Sequence, residues 1–242
     1  MAGGTAEPAS FVLVHGAWGG GWGWTPFAEM MRRRGHRVFT PTLTGMGERA
    51  HLWSGAINLS THIEDICNVI RYERLHDFVL AGHSYGGMVV TGVADRMADR
   101  IRSLVYIDAF LPEDGRSLFD YTPEANVARL ADAGAHHGGL GLSVPGPWVL
   151  PGLSEAERAE IEGLRGPQPL GTCVERIRLT GAAERIPTRM YILAGANPGA
   201  TFRQFHARVR GRPGWRTAEV ACGHGIHRER PEELIPLLES VV

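Results

Sequence analysis

The sequence predicts an α/β domain with a mostly parallel central sheet and helices on both of its faces. Short apolar runs bounded by Gly or Pro alternate with longer segments of helical periodicity along most of the chain. Strands that alternate with helices pair in parallel, because each crossover helix returns the chain to the same end of the sheet. The second observation is size: 242 residues, 43% hydrophobic and 21% charged, suit one soluble domain spanning 1–242 with a single large core.

The elements follow in order. Phe11-Val12-Leu13-Val14 is a buried strand ending at His15-Gly16. Thr25-Pro26 opens a helix that carries Phe27, Met30 and Met31 and stops near Gly35, with proline placed where a first helical turn accepts it. Residues 37–40 form the next strand, ended by Pro41. Over 61–72, Ile63, Ile66, Val69 and Ile70 recur at helical spacing, with Thr61 and Glu64 as a capping box. Phe78-Val79-Leu80-Ala81 is a strand that runs straight into Gly82, and a helix follows over 88–97. Further strands are predicted at 103–107, 190–194 and 217–221, and an amphipathic helix closes the chain over 232–242.

The segment 112–185 reads differently. It is rich in Gly and Pro (Gly138, Gly139, Gly141, Pro145, Gly146, Pro147, Pro151), shows one helical piece at 154–164, and has no strand pattern. Long insertions inside compact domains are generally functional, so this one is expected to be a cap over a site rather than a second folding domain.

Composition removes several classes of function. A formal net charge of -1 leaves no basic footprint for nucleic acid and no polybasic patch for a membrane surface. All 25 basic residues are Arg, which rules out a catalytic or Schiff-base lysine. The first ten residues are short, polar and Gly/Ala-rich, and the apolar run 11–14 is far too short for a leader or a span. Cys67, Cys173 and Cys222 are odd in number and show no metal-ligand spacing. Reduced, buried thiols in a cytoplasmic protein are the expectation, with no metal and no organic cofactor.

Gly82-His83-Ser84-Tyr85-Gly86 fits G-x-S-x-G, a sharp turn that lifts a serine nucleophile out of the sheet. The pentapeptide alone is common. Here an apolar strand precedes it and a helix follows, which is the context the chemistry requires. His15-Gly16-Ala17-Trp18, with the glycines after it, ends the first strand. Such a loop can offer a backbone N–H to a tetrahedral oxyanion beside the N–H that follows the nucleophile, so Ala17 and Tyr85 are the expected donors. Phosphate binding is the other use of a Gly-rich loop, but neither G-x-G-x-x-G nor a Walker lysine is present. A serine hydroxyl also needs a base. His224, in Cys222-Gly223-His224 directly after the last strand, is favoured over His227, and the remaining histidines His36, His51, His62, His76, His136, His137 and His206 are assigned to surface or cap roles.

Taken together, residues 11–18, Gly82-His83-Ser84-Tyr85-Gly86-Gly87-Met88 and Gly223-His224 resemble a known family. It is that of the small α/β-hydrolases, which include plant methyl-ketone and methyl-salicylate esterases, hydroxynitrile lyases and bacterial esterases. Residues 41–49, Pro-Thr-Leu-Thr-Gly-Met-Gly-Glu-Arg, look like the bacterial branch. The resemblance covers most of the chain outside the cap and implies the α/β-hydrolase fold with a cap insertion. It also implies a triad in the order serine, acid, histidine. One departure matters: the family's usual position for the acid, after the strand at 190–194, holds Asn197, and no Asp or Glu lies between Arg189 and Trp215. Either the acid has moved to Asp108, at the carboxyl end of the strand 103–107, with Asn197 as an auxiliary, or the chemistry runs on a weak Ser-His dyad.

The leading expectation is a serine esterase that cleaves a small to medium apolar carboxylic ester through an acyl-enzyme, with an apolar cap (Leu118, Phe119, Tyr121, Leu140, Leu142, Trp148, Leu150). A second uses the same Ser-His machinery as an acyltransferase or thioesterase, with an acyl-carrier protein as partner. A third is a non-catalytic ligand-binding homologue. The hydroxynitrile lyases of the family rely on a cap lysine, which this chain lacks.

Overall fold

The computed structural model describes residues 8–146 and 154–242. The chain runs β1 (Ser10–Val14), α1 (Thr25–Arg33), β2 (Arg37–Phe39), α2 (Leu59–Tyr72), β3 (Phe78–His83), α3 (Gly86–Met97) and β4 (Ile101–Ile107). It then leaves the sheet for α4 (Pro123–His136), β5 (Gly141–Leu142), α5 (Glu155–Leu164), β6 (Gln168–Pro169) and α6 (Gly171–Val174). It returns with β7 (Thr188–Ala194), α7 (Ala200–Val209), β8 (Trp215–Val220), α8 (Ile226–Glu229) and α9 (Pro231–Glu239). No helix among the described residues is long and apolar enough to cross a membrane.

Six strands form one parallel sheet in the order β2-β1-β3-β4-β7-β8. Successive strand side chains point to opposite faces, and both faces are buried. Val12, Val14, Leu80, Leu104, Tyr106 and Tyr191 pack under α2, α3 and α7. Phe11, Leu13, Val79, Ala81, Val105 and Ile192 pack under α1, α8 and α9. This is why the strands read as continuous apolar runs rather than alternating ones. From β1 the chain moves outward to β2, then crosses to β3 on the other side. The carboxyl ends of β1 and β3 therefore flank a topological switch point, where open α/β sheets place their ligands. Gly16 follows one of these strands and Ser84 the other.

Several expected elements differ in detail. The second helix starts at Leu59, with Asn58 as its cap: Asn58 Oδ1 accepts from Thr61 N–H at 2.9 Å and Thr61 Oγ1 accepts from Asn58 N–H at 3.3 Å. Thr61 is thus the third residue of the box rather than the first, and Glu64 lies outside it, pairing with Arg71 and Arg96. The third helix begins two residues early, at Gly86, and the closing helix is Pro231–Glu239. The segment 112–185 is not strandless: β5 and β6 pair antiparallel. It also contains α4, a 14-residue helix with only Ala133 fully buried, so its apolar periodicity is faint. Pro147, Trp148, Leu150 and Pro151 lie outside the described residues.

The start of α3 is packed backbone to backbone. A Cβ on Gly87 would lie 2.0 Å from the Phe110 carbonyl oxygen, and one on Gly86 2.7 Å from that of Val14. Gly87→Ala is therefore expected to destabilise the fold by about 1–3 kcal/mol, lowering Tm by roughly 3–10 °C for a domain of this size. Gly134→Ala in α4, with nothing within 4 Å of the new methyl, should instead raise Tm slightly. Thermal denaturation of the pair checks both signs.

Candidate active site

Ser84 sits between the buried strand β3 and α3 with a backbone φ of 54°. A non-glycine residue in the left-handed region is strained, and the surroundings hold it there. Its carbonyl accepts from Gly87 N–H at 3.1 Å and Phe110 N–H at 3.0 Å. The loop after β1 lies directly against it: a Cβ on Gly16 would stand 3.0 Å from Ser84 Cβ and 3.5 Å from Ser84 Oγ. Only glycine leaves that approach open.

Ala17 and Tyr85 are both buried and line the same cavity as Ser84. Their loops are fixed by neighbours that no local pattern announces. Trp18, also left-handed with φ 59°, donates its backbone N–H to Gln168 Oε1 at 3.2 Å and its indole N–H to the Leu142 carbonyl at 3.2 Å. Gln168 is itself fully buried and bonded to Thr172 Oγ1 at 2.6 Å. The β5–β6 pair thereby clamps the loop after β1. His15 donates from Nδ1 to the Gly16 carbonyl and accepts at Nε2 from Leu43 N–H. Burial pushes its pKa down to about 4, which keeps it neutral.

His62 corrects a surface assignment. It is fully buried, donates from Nε2 to the Thr44 carbonyl and accepts at Nδ1 from the Tyr85 hydroxyl, each at 2.9 Å. Burial takes it to about 4 as well. His36 is likewise buried, 3.0 Å from Glu239.

His224 follows β8 on a turn anchored by Glu229, whose carboxylate accepts from Gly223 N–H at 2.7 Å and Gly225 N–H at 3.3 Å. His83 donates from Nε2 to the His224 carbonyl at 2.9 Å, and the Phe202 ring stacks on the imidazole at 5.0 Å and 11°. On the other side, His224 Nδ1 lies 2.6 Å from Asp108 Oδ2. Asp108 is fully buried. Its Oδ1 accepts from Ala194 N–H at 3.1 Å, and its Oδ2 accepts from Asn197 Nδ2 at 2.6 Å. A buried carboxylate needs such donors to offset lost hydration. The bond to Asp108 places the ring proton on Nδ1 and the lone pair of the neutral imidazole on Nε2. Asp108, His224 and Asn197 are thus brought together at the ends of β4, β8 and β7. Asp108 also has a left-handed backbone, φ 42°, which aspartate tolerates better than most residues.

Ser84 and His224 share one cavity of about 220 Å³, walled largely by apolar side chains such as Phe110, Leu118, Leu142 and Phe202. Of the apolar residues expected in the cap, Leu118 and Leu142 line it. Phe119 is packed in the core and Leu140 is exposed, while Tyr121 packs on Phe110 and Phe205. His227 takes no part in that cavity. Its ring packs against Trp24 with centroids 4.2 Å apart and planes tilted by 35°, and burial holds its pKa well below the ordinary value. The three cysteines are free and buried; burial pushes Cys67 and Cys173 up to about 11 and Cys222 to about 12, far from a reactive thiolate. Among the described residues no group of three or more His, Cys, Asp or Glu is arranged to hold a metal ion.

A family model for the alpha/beta hydrolase family matches residues 11–237. The chain belongs to that family. This hydrolase is 43% identical over 240 residues to the carbendazim hydrolyzing esterase of Nocardioides sp. (strain SG-4G), covering 96% of the chain and 99% of the relative. A methylesterase of Arabidopsis thaliana, Methylesterase 2, matches at 30% over 118 residues, 44% of the chain and 41% of that protein. Among solved structures, an extracellular alpha/beta-hydrolase from a Paenibacillus species superposes with a TM-score of 0.84 at 25% identity, covering 97% of this chain and 99% of that one. That protein is described as sharing structural and functional homology with tobacco Salicylic Acid Binding Protein 2. The names of the first two relatives are those of esterases.

Proposed function

We propose that the protein is a serine esterase that cleaves small to medium, largely apolar carboxylic esters through an acyl-enzyme. The observation that carries this reading is the 2.6 Å contact between buried Asp108 and His224, on a histidine that shares its cavity with the strained Ser84. Ser84 Oγ attacks the ester carbonyl while His224 Nε2 takes its proton. The backbone N–H groups of Ala17 and Tyr85 stabilise the oxyanion. The tetrahedral intermediate then collapses, and His224 returns the proton to the departing alcohol. Water, deprotonated by the same nitrogen, attacks the acyl-enzyme, releasing the acid and regenerating the serine. Asp108 fixes the tautomer and stabilises the imidazolium, and Asn197 holds the carboxylate in place.

Residues 112–185 act as the cap of a single domain, since Leu118, Thr122, Leu142 and Cys173 wall the cavity. Its volume lies below the usual range for drug-sized ligands, which supports small substrates. The free, buried thiols fit a reducing, cytoplasmic setting. The Asp108 contact weighs against a non-catalytic homologue, because it gives His224 a carboxylate that Asn197 does not.

The test is colour release from short-chain nitrophenyl esters, with carbendazim tried beside them because a relative is named for hydrolysing it. Activity that a serine-directed phosphonate abolishes supports the reading; none toward any ester refutes it. Asp108→Asn is expected to keep the fold and cut turnover by roughly 10³–10⁴, because the imidazole loses its tautomer and its counter-charge. Asn197→Asp should also lower turnover, by less. It sets a second carboxylate where a donor now stands 2.6 Å from Asp108, so like charges compete and one proton is retained. Steady-state rates with circular dichroism check both; a silent Asp108→Asn removes Asp108 from the triad.

A further inference from the structure

The cavity wall contains a cation, Arg129, that no acid among the described residues neutralises. Arg129 projects from α4 into the lining beside Thr122 and Cys173, and its guanidinium donates to Thr122 Oγ1 at 2.7 Å. Most other partly buried or exposed arginines that pair do so with acids, as Arg34 does with Glu239 and Arg208 with Glu113. Among the described residues no Asp or Glu lies within ion-pair distance of Arg129. Asp132, one turn along the same helix, accepts instead from Ser143 N–H at 2.9 Å and faces His136. The Cys173 thiol shares the wall with Arg129, and burial pushes it up to about 11, which keeps it uncharged. Burial also lowers the pKa of Arg129 itself, but not enough to discharge a guanidinium near neutral pH. A half-buried charge in a mostly apolar wall loses solvation that, among the described residues, the Thr122 hydroxyl restores only in part, and the guanidinium fork keeps further donors suited to a carboxylate.

We infer that Arg129 reads an anionic group on the substrate, and that the preferred esters have an apolar body ending in a second, negatively charged group, as in the half-esters of dicarboxylic acids. This rests on the cavity being the ester site proposed above. The scissile carbonyl then sits at Ser84 and the free carboxylate at Arg129, with Phe110, Leu118 and Leu142 along the intervening chain.

The experiment compares kcat/KM for mono-nitrophenyl esters of succinate, glutarate and adipate with those of the matching uncharged butyrate, pentanoate and hexanoate esters. In the wild type the best half-ester should exceed its neutral partner by about 10- to 100-fold, the range of a hydrogen bond to a charged group. Arg129→Met should bring that ratio to one or below, and Arg129→Lys should retain part of it. A wild-type ratio at or below one, or one that survives Arg129→Met, overturns the inference. A second arm needs no turnover: calorimetric binding of monomethyl glutarate and monomethyl adipate to Ser84→Ala, with and without Arg129→Met. Binding that depends on Arg129, with no ester hydrolysed by the wild type, would refute the esterase reading and the ester preference with it, and leave only the anion subsite at Arg129 standing. Hydrolysis of neutral esters with a flat ratio would do the reverse.

Discussion

Ser84→Ala is expected to lower kcat for ester hydrolysis by about 10⁶, the loss seen when the nucleophile of an interdependent triad is removed. On the proposed mechanism what survives is the binding cavity and the amides of Ala17 and Tyr85, which are expected to leave roughly 10³–10⁴ over water. The substitution removes one oxygen from a position whose neighbours are otherwise untouched. Gly16 still packs against the Cβ, and the Ser84 carbonyl still accepts from Gly87 and Phe110. Tm should therefore stay close to that of the parent while activity vanishes. Wild-type hydrolysis in a preparation free of host esterases would eliminate Ser84 as nucleophile and, with it, the acyl-enzyme.

His224→Ala is expected to be as damaging as Ser84→Ala, and the double variant no worse than either, because the two groups act in one proton transfer. His227→Ala provides the contrast. That ring is buried against Trp24 and His83, so its loss should appear in Tm while kcat of the folded protein stays near the parent value. Rates and melting curves for the four proteins separate the cases. If His227→Ala proved the more damaging to kcat, the base would be reassigned.

The parts of this architecture that were legible in the sequence are those with local causes. A parallel sheet buried on both faces needs unbroken apolar strands, and 11–14, 78–81 and 190–194 read that way directly. The turn at Ser84 needs small flanking residues, and Gly82, Gly86 and Gly87 supply them where a Cβ would strike backbone. The contact of Asp108 with His224 was readable from topology rather than from a motif. Because β4 pairs with β7, a carboxylate at the end of either strand stands at neighbouring positions about 5 Å apart, and both are within reach of the same histidine.

Features with distant partners were not legible. His62 looks like a surface helix residue until Tyr85, 23 positions away, is folded against it. His83 serves the His224 carbonyl across 141 positions. Phe202 and Glu229 position His224 from α7 and α8 without any recurring spacing to mark them. The α4 helix has little apolar periodicity because it buries almost nothing, yet it carries Arg129 into the cavity. Gln168, a polar residue with no motif around it, is fully buried and ties the loop of Ala17 to the cap.

The central claim is that Ser84 is made nucleophilic by His224 and Asp108. Intact-mass spectrometry with peptide mapping after exposure to a serine-directed phosphonate tests it most directly. One adduct per chain is predicted, on the peptide that contains Ser84, formed far more slowly in Asp108→Asn and not at all in Ser84→Ala. An unmodified folded protein, an adduct on another residue, or labelling of Asp108→Asn at the wild-type rate would contradict it.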